Sequence, residues 1–132
     1  MTSTLVTQRR SERVTLAFRL LLLATTVAVF ALVTLGGIVR VTGSGLGCPD
    51  WPLCQGKLFP PLEFHALLEY SHRLVASLVG VLTVATAGVA WWKYRSNKWV
   101  FAPTIVALPL VGVAGWLGRN AVLTELHPDV VT

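Results

Sequence analysis

Three long apolar runs are the feature of this sequence that most restricts its fold. Residues 20–39 carry no charge and, at about twenty residues, are long enough to cross a bilayer as a helix. Two further uncharged runs follow at 74–92 and 100–117. Only 13% of the residues are charged, whereas a soluble domain carries about a quarter. The sequence therefore predicts an all-α membrane protein with three transmembrane helices.

Proline positions and run lengths set the expected boundaries. The first run is longer than the apolar core of a cleaved signal peptide, so we expect it to persist as the first span. The second helix should begin near Glu63, after Pro60 and Pro61. Pro103 is expected in the first turn of the third helix, and Pro109 should kink it, which membrane helices tolerate. We expect one domain over residues 1–132, with spans at about 18–40, 66–92 and 100–118, an outer loop at 41–65 and an inner loop at 93–99.

The basic residues lie beside the apolar runs rather than in one patch. A net charge of +5 would suit nucleic acid only if it were clustered on a folded surface, so no nucleic-acid partner is expected. Arg9, Arg10 and Arg13 precede the first span, and a second basic group occupies the turn Lys93–Lys98. Because positively charged segments stay on the cytoplasmic side, we predict a multi-pass cell-membrane protein with a cytoplasmic amino terminus and the 41–65 loop on the outer face.

The segment Glu69-Tyr70-Ser71-His72-Arg73 places charged or titratable groups at the outer end of the second span. At about 100° per residue, Glu69 and His72 share a helix face with a small-residue stripe: Ala76, Gly80, Thr83 and Ala87. One interpretation is that His72 is an axial ligand of haem iron and that the porphyrin lies along this stripe. The other is close helix packing, which small residues also permit in membranes. The pattern leaves both interpretations open.

The outer loop carries two cysteines, Cys48 and Cys54. On the oxidising side of a membrane a disulfide is the default, although a labile thiol–disulfide redox pair is the functional alternative. Arg40 and Arg73 lie at the outer ends of the first two spans. Arginine at this depth usually extends to the lipid headgroups. If haem is bound, the same guanidinium groups would suit its propionates, because they pair bidentately with carboxylates.

Three segments in this order resemble the haem A synthase family: Gly36–Arg40, Thr42–Cys54 and Glu69–Arg73. Members of that family are membrane oxidoreductases that convert haem O to haem A for cytochrome oxidase, by oxidising a porphyrin methyl group to a formyl group. They have two similar four-helix halves, and the resemblance implies that this chain forms most of one four-helix haem-binding unit.

The resemblance also implies roles for individual residues. His72 matches the haem ligand of the second helix, and Glu69 matches the neighbouring functional carboxylate, a proton acceptor or a stabiliser of positive charge. Cys48 and Cys54 match the paired cysteines of the first outer loop. In the family the first half is linked to the substrate haem O and the second half holds a haem b cofactor, and no other metal is expected.

The sequence departs from the family pattern at its end. It stops about where the fourth helix and its partner histidine should begin, and His127, in a predicted outer turn, is not expected to replace that ligand. His65 is expected to be an interfacial side chain or at most a proton carrier. The implied partners are membrane lipid, haem O, haem O synthase, cytochrome oxidase assembly factors, and a second chain that supplies the missing histidine.

The expected function is haem A synthase chemistry, in a partial or truncated form of the enzyme. Two functions of other classes compete with it. The first is a membrane thiol oxidoreductase that passes electrons from Cys48 and Cys54 to a quinone. The second is a non-catalytic membrane assembly protein whose helices serve as a docking surface. A visible spectrum that depends on His72 would distinguish the haem interpretation from both.

Overall fold

A computed structural model of the protein describes residues 14–125. It contains three long helices, α1 (Leu16–Val41), α2 (Phe64–Tyr94) and α3 (Lys98–Glu125), and one 3-10 turn at Ser44–Leu46. All three helices are long and apolar enough to cross a membrane, which confirms the predicted class of all-α membrane protein. The arginines before residue 14 and His127 lie outside the described residues.

The helix ends follow local sequence signals. The hydroxyl of Thr15 accepts a hydrogen bond from the Phe18 N–H at 3.4 Å and caps α1. Glu63 is the extended residue immediately before α2, so the helix begins just beyond the proline pair at 60–61. The Asn97 carbonyl accepts the N–H groups of Val100 and Phe101 at 3.0 and 2.9 Å, and α3 therefore starts earlier than the sequence pattern suggested.

Two details of α3 differ from expectation. Because the helix begins at Lys98, Pro103 falls in the second turn rather than the first. Nearby, the Thr104 hydroxyl donates to the carbonyls of Val100 and Phe101, in the way that hydroxyl side chains satisfy backbone groups near prolines in membranes. The helix also continues beyond the predicted end at residue 118, because no glycine or proline interrupts residues 119–125.

α1 and α2 run antiparallel and touch at several levels. Near the inner end the rings of Phe18 and Tyr94 lie 4.7 Å apart between centroids, and the Tyr94 hydroxyl donates to Thr15. Halfway up, the Thr25 and Thr86 hydroxyls are 3.1 Å apart. Such interhelical polar pairs, together with close packing, hold helices together where lipid removes the hydrophobic drive.

α3 packs on α2 chiefly through its inner half. Thr104 is buried there, and the rings of Trp91 and Phe101 lie 5.7 Å apart between centroids. From Gly112 to Arg119 every side chain of α3 is exposed. Residues 112–119 are therefore little covered by α1 and α2, whereas residues 120, 122 and 123 near the end of α3 are half-buried.

Candidate functional site

The outer loop lies on the first turns of α2. Cys48 and Cys54 form a disulfide and are both fully buried, as the default interpretation of the sequence expected. Gly47 makes this contact possible, because a Cβ at that position would lie only 2.5 Å from the His65 carbonyl carbon and oxygen. A larger residue would force the loop off the helix.

Arg73 holds the loop in place. Its Nη1 donates to the carbonyls of Asp50 and Leu53 at 2.6 and 2.9 Å, and its Nη2 donates to the Cys48 carbonyl at 2.7 Å. Nη2 also pairs with Glu69 one helical turn earlier. Both terminal nitrogens of the guanidinium are therefore engaged inside the protein.

Glu69 is the second contact between helix and loop. It is a buried residue, and its Oε2 accepts the Cys48 N–H at 2.7 Å, while its Oε1 accepts from Arg73. Charge-assisted bonds of this kind are among the stronger hydrogen bonds in proteins. Each carboxylate oxygen is thus used to fix the loop.

His72 lies one turn deeper and faces α1. A Cβ built on Gly36 would lie 3.0 Å from Cε1 of the imidazole, and 3.6 and 3.7 Å from its two nitrogens. The edge of the ring that carries both nitrogens therefore points at the α1 backbone at Gly36, a position without a side chain. The ring lies within the fields of Glu69 and Arg73.

One nitrogen of His72 is left unsatisfied. Nδ1 is buried and, among residues 14–125, has no hydrogen-bond partner. A buried polar atom without a partner costs free energy, so this atom marks a place where a ligand would restore an interaction. An imidazole nitrogen is also the commonest protein ligand for metal centres, so the donor chemistry of His72 suits a haem iron.

The small-residue stripe divides into two parts. Ala76 and Gly80, nearest His72, are half-buried, whereas Thr83 and Ala87 are covered by the neighbouring helices. A flat ligand has room along the upper part only. For the lower part the helix-packing interpretation applies.

Arg40, the other predicted propionate partner, differs from Arg73. It is exposed in the last turn of α1, and its guanidinium makes no hydrogen bond or ion pair within the described range. Of the two arginines, Arg40 is the one whose charge remains available to a ligand.

Asp50 and Gly36 contribute to the site in ways that the sequence did not reveal. The Asp50 carboxylate accepts the Gln55 and Gly56 N–H groups at 2.5 and 2.6 Å. These hydrogen bonds lower the pKa of Asp50 below its usual value, and the bond from the Gly56 N–H has the largest effect. The charge of Arg73 lowers this pKa further, by a smaller amount. An Asp followed by a Gln-Gly pair at a turn was a usable signal. No local pattern paired Gly36 with His72.

Two further sets of contacts join the loop to α2 and α3. The Ser44 hydroxyl links the Thr42 hydroxyl and His65 Nδ1, with both distances 2.7 Å. His65 itself is exposed. The Arg119 guanidinium lies 5.4 Å from the centre of the Trp51 ring, which connects the outer part of α3 to the loop.

Comparison with known proteins identifies relatives of the whole described region. The chain matches the COX15-CtaA family, described as cytochrome oxidase assembly protein, over residues 19–67 and 62–132. It is 36% identical over 120 residues to a Heme A synthase of Bacillus pumilus, covering 84% of this chain and 39% of the relative. A Heme A synthase of Bacillus licheniformis is 37% identical over 111 residues, 78% of this chain and 37% of the relative.

A third relative carries a different name. A protein of Natronomonas pharaonis named Protoheme IX farnesyltransferase 1 is 36% identical over 115 residues, which cover 86% of this chain but 25% of that protein. The chain thus spans well under half the length of the curated relatives that it matches. The family match covers nearly all of the chain, and the chain therefore belongs to the COX15-CtaA family of cytochrome oxidase assembly proteins.

Proposed function

We propose that this chain provides the substrate-haem site of a haem A synthase, in which a methyl group of haem O is oxidised to a formyl group. The observation that carries the proposal is the His72 imidazole, whose buried Nδ1 has no partner in the described part of the chain and whose ring meets a bare backbone at Gly36. The names of the Bacillus relatives supply the reaction. With water as the oxygen source, this oxidation needs an external electron acceptor.

Each site residue has a distinct role in the proposal. His72 is the axial ligand, and Ala76 and Gly80 leave room for the porphyrin beside it. The contacts of Glu69 favour one of its two expected roles, a fixed negative charge near the substrate, because both oxygens already accept hydrogen bonds. Such a charge stabilises positive charge that develops on the substrate.

The two arginines separate in function. Arg73 shapes the loop through the backbone carbonyls that it binds, so its predicted pairing with a propionate would compete with those bonds. Arg40 is exposed at the same end of the helix bundle. Arg40 is therefore the propionate partner that we propose, and Arg73 is a positioning residue.

The orientation follows from charge. We place the basic turn between α2 and α3 in the cytoplasm and the disulfide loop on the outer face, in accordance with the positive-inside rule. The haem then lies near the outer surface, where the loop disulfide is chemically stable.

The proposed site takes further groups that lie outside the described residues. A second axial histidine is proposed to come from another polypeptide segment. The farnesyltransferase relative contains a region similar to this chain within a much longer protein, which supports a haem O synthase as the partner that delivers substrate. Haem b belongs, in this proposal, to the second half of the complete enzyme.

The competing functions have less support. A thiol oxidoreductase needs a sulfur atom that another thiol or quinone can reach, and both cysteines are fully buried. A purely structural assembly role gives no reason for a buried imidazole nitrogen to lack a partner.

The visible spectrum of the purified protein, with and without His72→Ala, tests the proposal. We expect a Soret band in the unmodified protein that is lost in His72→Ala. His65→Ala is the matched control, because His65 lies on the same helix but is exposed and bonded to Ser44, and it should retain the band. A band that survives His72→Ala would refute the ligand assignment.

A further inference from the structure

The inner halves of the three helices enclose a groove of about 340 Å³. Its walls include Val29 of α1, Thr83 and Thr86 of α2, and Thr104 and Ala107 of α3. The volume lies within the range of about 300–1,000 Å³ seen for small-molecule sites. None of the residues assigned to the haem site lines this groove.

The groove is apolar although five threonines line it. Each of these hydroxyls donates to a carbonyl of its own helix: Thr25 to Leu21, Thr26 to Leu22, Thr83 to Val79, Thr86 to Leu82, and Thr104 to Val100 and Phe101. Their hydrogen-bonding protons therefore have partners within the protein, either in the same helix or in the Thr25–Thr86 pair. The groove suits a ligand portion that carries no polar group.

The groove lies on the same face of α2 as His72. At 100° per residue, Thr83 is rotated by about 20° from His72, and at 1.5 Å per residue it lies about 16 Å deeper along the helix. On α1, Val29 is two turns below Gly36 and faces the same way. A ligand held at His72 with an extended apolar substituent would therefore point that substituent into the groove.

We propose that this groove binds the farnesyl chain of haem O and so distinguishes haem O from protohaem. The inference rests on the proposed function, because it assumes that the porphyrin is held at His72. The chain would leave the porphyrin below Gly80 and end between Thr83 and Ala107. Because lipid is as apolar as the groove, the farnesyl chain gains binding free energy by packing against fixed side chains and not by transfer out of water.

The first test titrates the full chain, in nanodiscs, with haem O and separately with protohaem, and follows the Soret band. We expect haem O to bind about tenfold more tightly, the ratio that 1.4 kcal/mol produces. Ala107→Phe fills the groove and should weaken haem O binding to the level of protohaem while leaving protohaem binding unchanged. Ala102→Phe is the matched control on the exposed side of α3 and should change neither affinity.

A second test does not depend on haem. Farnesol carrying a diazirine is photolysed with the chain in nanodiscs, and the labelled residues are located by mass spectrometry. We expect labels on groove residues of α1 and α3, reduced several-fold by Ala107→Phe but not by Ala102→Phe. Unlabelled farnesol should displace the probe, and oleic acid should not.

The outcomes separate this inference from the proposed function. Equal affinities for the two haems, equal weakening of both by Ala107→Phe, or equal displacement of the probe by oleic acid would each overturn the groove assignment, the last by indicating a lipid acyl-chain site. If neither haem binds, the proposed function fails. The farnesol labelling pattern then still decides whether the groove accepts an isoprenoid chain.

Discussion

The contact between His72 and Gly36 sets the position of the imidazole. α2 brings the imidazole against the α1 backbone at Gly36, where an added Cβ would lie 3.0 Å from the ring and would push it aside. The ring can take this orientation because α1 has no side chain at position 36. This predicts that position 36 controls ligand binding without contacting the ligand.

Gly36→Val should displace His72 and lower haem affinity about fivefold or more, because overpacking a close contact costs about 1–3 kcal/mol. Gly37→Val is the control, since nothing lies within 4 Å of a Cβ there. Both variants share the gain in helix propensity, so the difference between their haem titrations isolates the contact. Equal affinities in the two variants would contradict the role of Gly36.

The two arginines should respond differently to the same substitution. Arg40→Gln should weaken haem binding about tenfold or more through a lost charge-assisted bond, worth roughly 1.5–3 kcal/mol, and leave the thermal unfolding midpoint unchanged. Calorimetry and a Soret titration on the same sample provide both readouts. Intact haem affinity in this variant would rule out Arg40 as a propionate partner.

Arg73→Gln should act through the fold. It leaves the buried Glu69 carboxylate without its cation, which costs about 3 kcal/mol, the low end for breaking a buried ion pair, because Arg73 keeps 15% side-chain exposure. The expected signs are a lower unfolding midpoint and faster proteolysis of the outer loop. Arg73→Lys should restore only part of the stability, since a single ammonium cannot reproduce the forked geometry.

At the scale of elements, the outer loop behaves as a lid fixed to the start of α2. Glu69 and Arg73 attach it to α2 by binding its backbone. The disulfide and the turn closed by Asp50 fix the shape of the loop itself. Gly47 allows the loop backbone to touch the α2 backbone. The loop and the first turns of α2 therefore form one connected unit next to His72.

The Asp50 turn predicts a loosening of the loop in acid. The pKa of Asp50 is lowered in the folded protein, first by the Gly56 N–H, so its contribution to stability is fully present above the usual aspartate pKa of about 3.9. That contribution is lost as the pH falls through the lowered folded value. Hydrogen-exchange protection of the Gln55 and Gly56 amides should fall in that window, and Asp50→Asn should abolish the acid step. A step of the same size in Asp50→Asn would assign it to another group.

At the scale of the whole molecule, three helices make two unequal contacts. α2 packs against α1 along most of its length, whereas α3 leaves the bundle above Gly112. The side chains of residues 112–118 form an exposed, apolar face of α3. This open face is the surface on which further helices of a complete enzyme are proposed to sit.

Membrane orientation is testable on this scale. Ser96→Cys, exposed in the basic turn, and Leu62→Cys, 93% exposed in the outer loop, should react with a membrane-impermeant maleimide from opposite sides. In intact cells we expect labelling of Leu62→Cys only, with Ser96→Cys labelled after permeabilisation. The reverse pattern would invert the proposed topology and put the disulfide loop in the cytoplasm.

Local sequence determined the spans of this protein and the chemistry at their ends. Charge-free runs of sufficient length must be helices in a bilayer, because every backbone polar group has to be satisfied within the segment. Local sequence also predicted roles for His72 and Glu69, since titratable groups at the edge of the hydrocarbon are costly and usually functional. It predicted the disulfide from two cysteines on the oxidising side of the membrane. The prediction from local sequence was wrong at the start of α3. The helix begins at Lys98, before the apolar run, because the Asn97 carbonyl accepts the first hydrogen bonds.

Only the tertiary structure decided which partners these groups meet. The contacts of Arg73 with loop carbonyls and of His72 with Gly36 join residues that are 20 or more positions apart, and the groove is lined by residues of all three helices. Their geometry depends on the register of antiparallel helices and on the path of a loop. A local pattern specifies what a residue is able to do, whereas the packing of distant segments fixes what lies beside it.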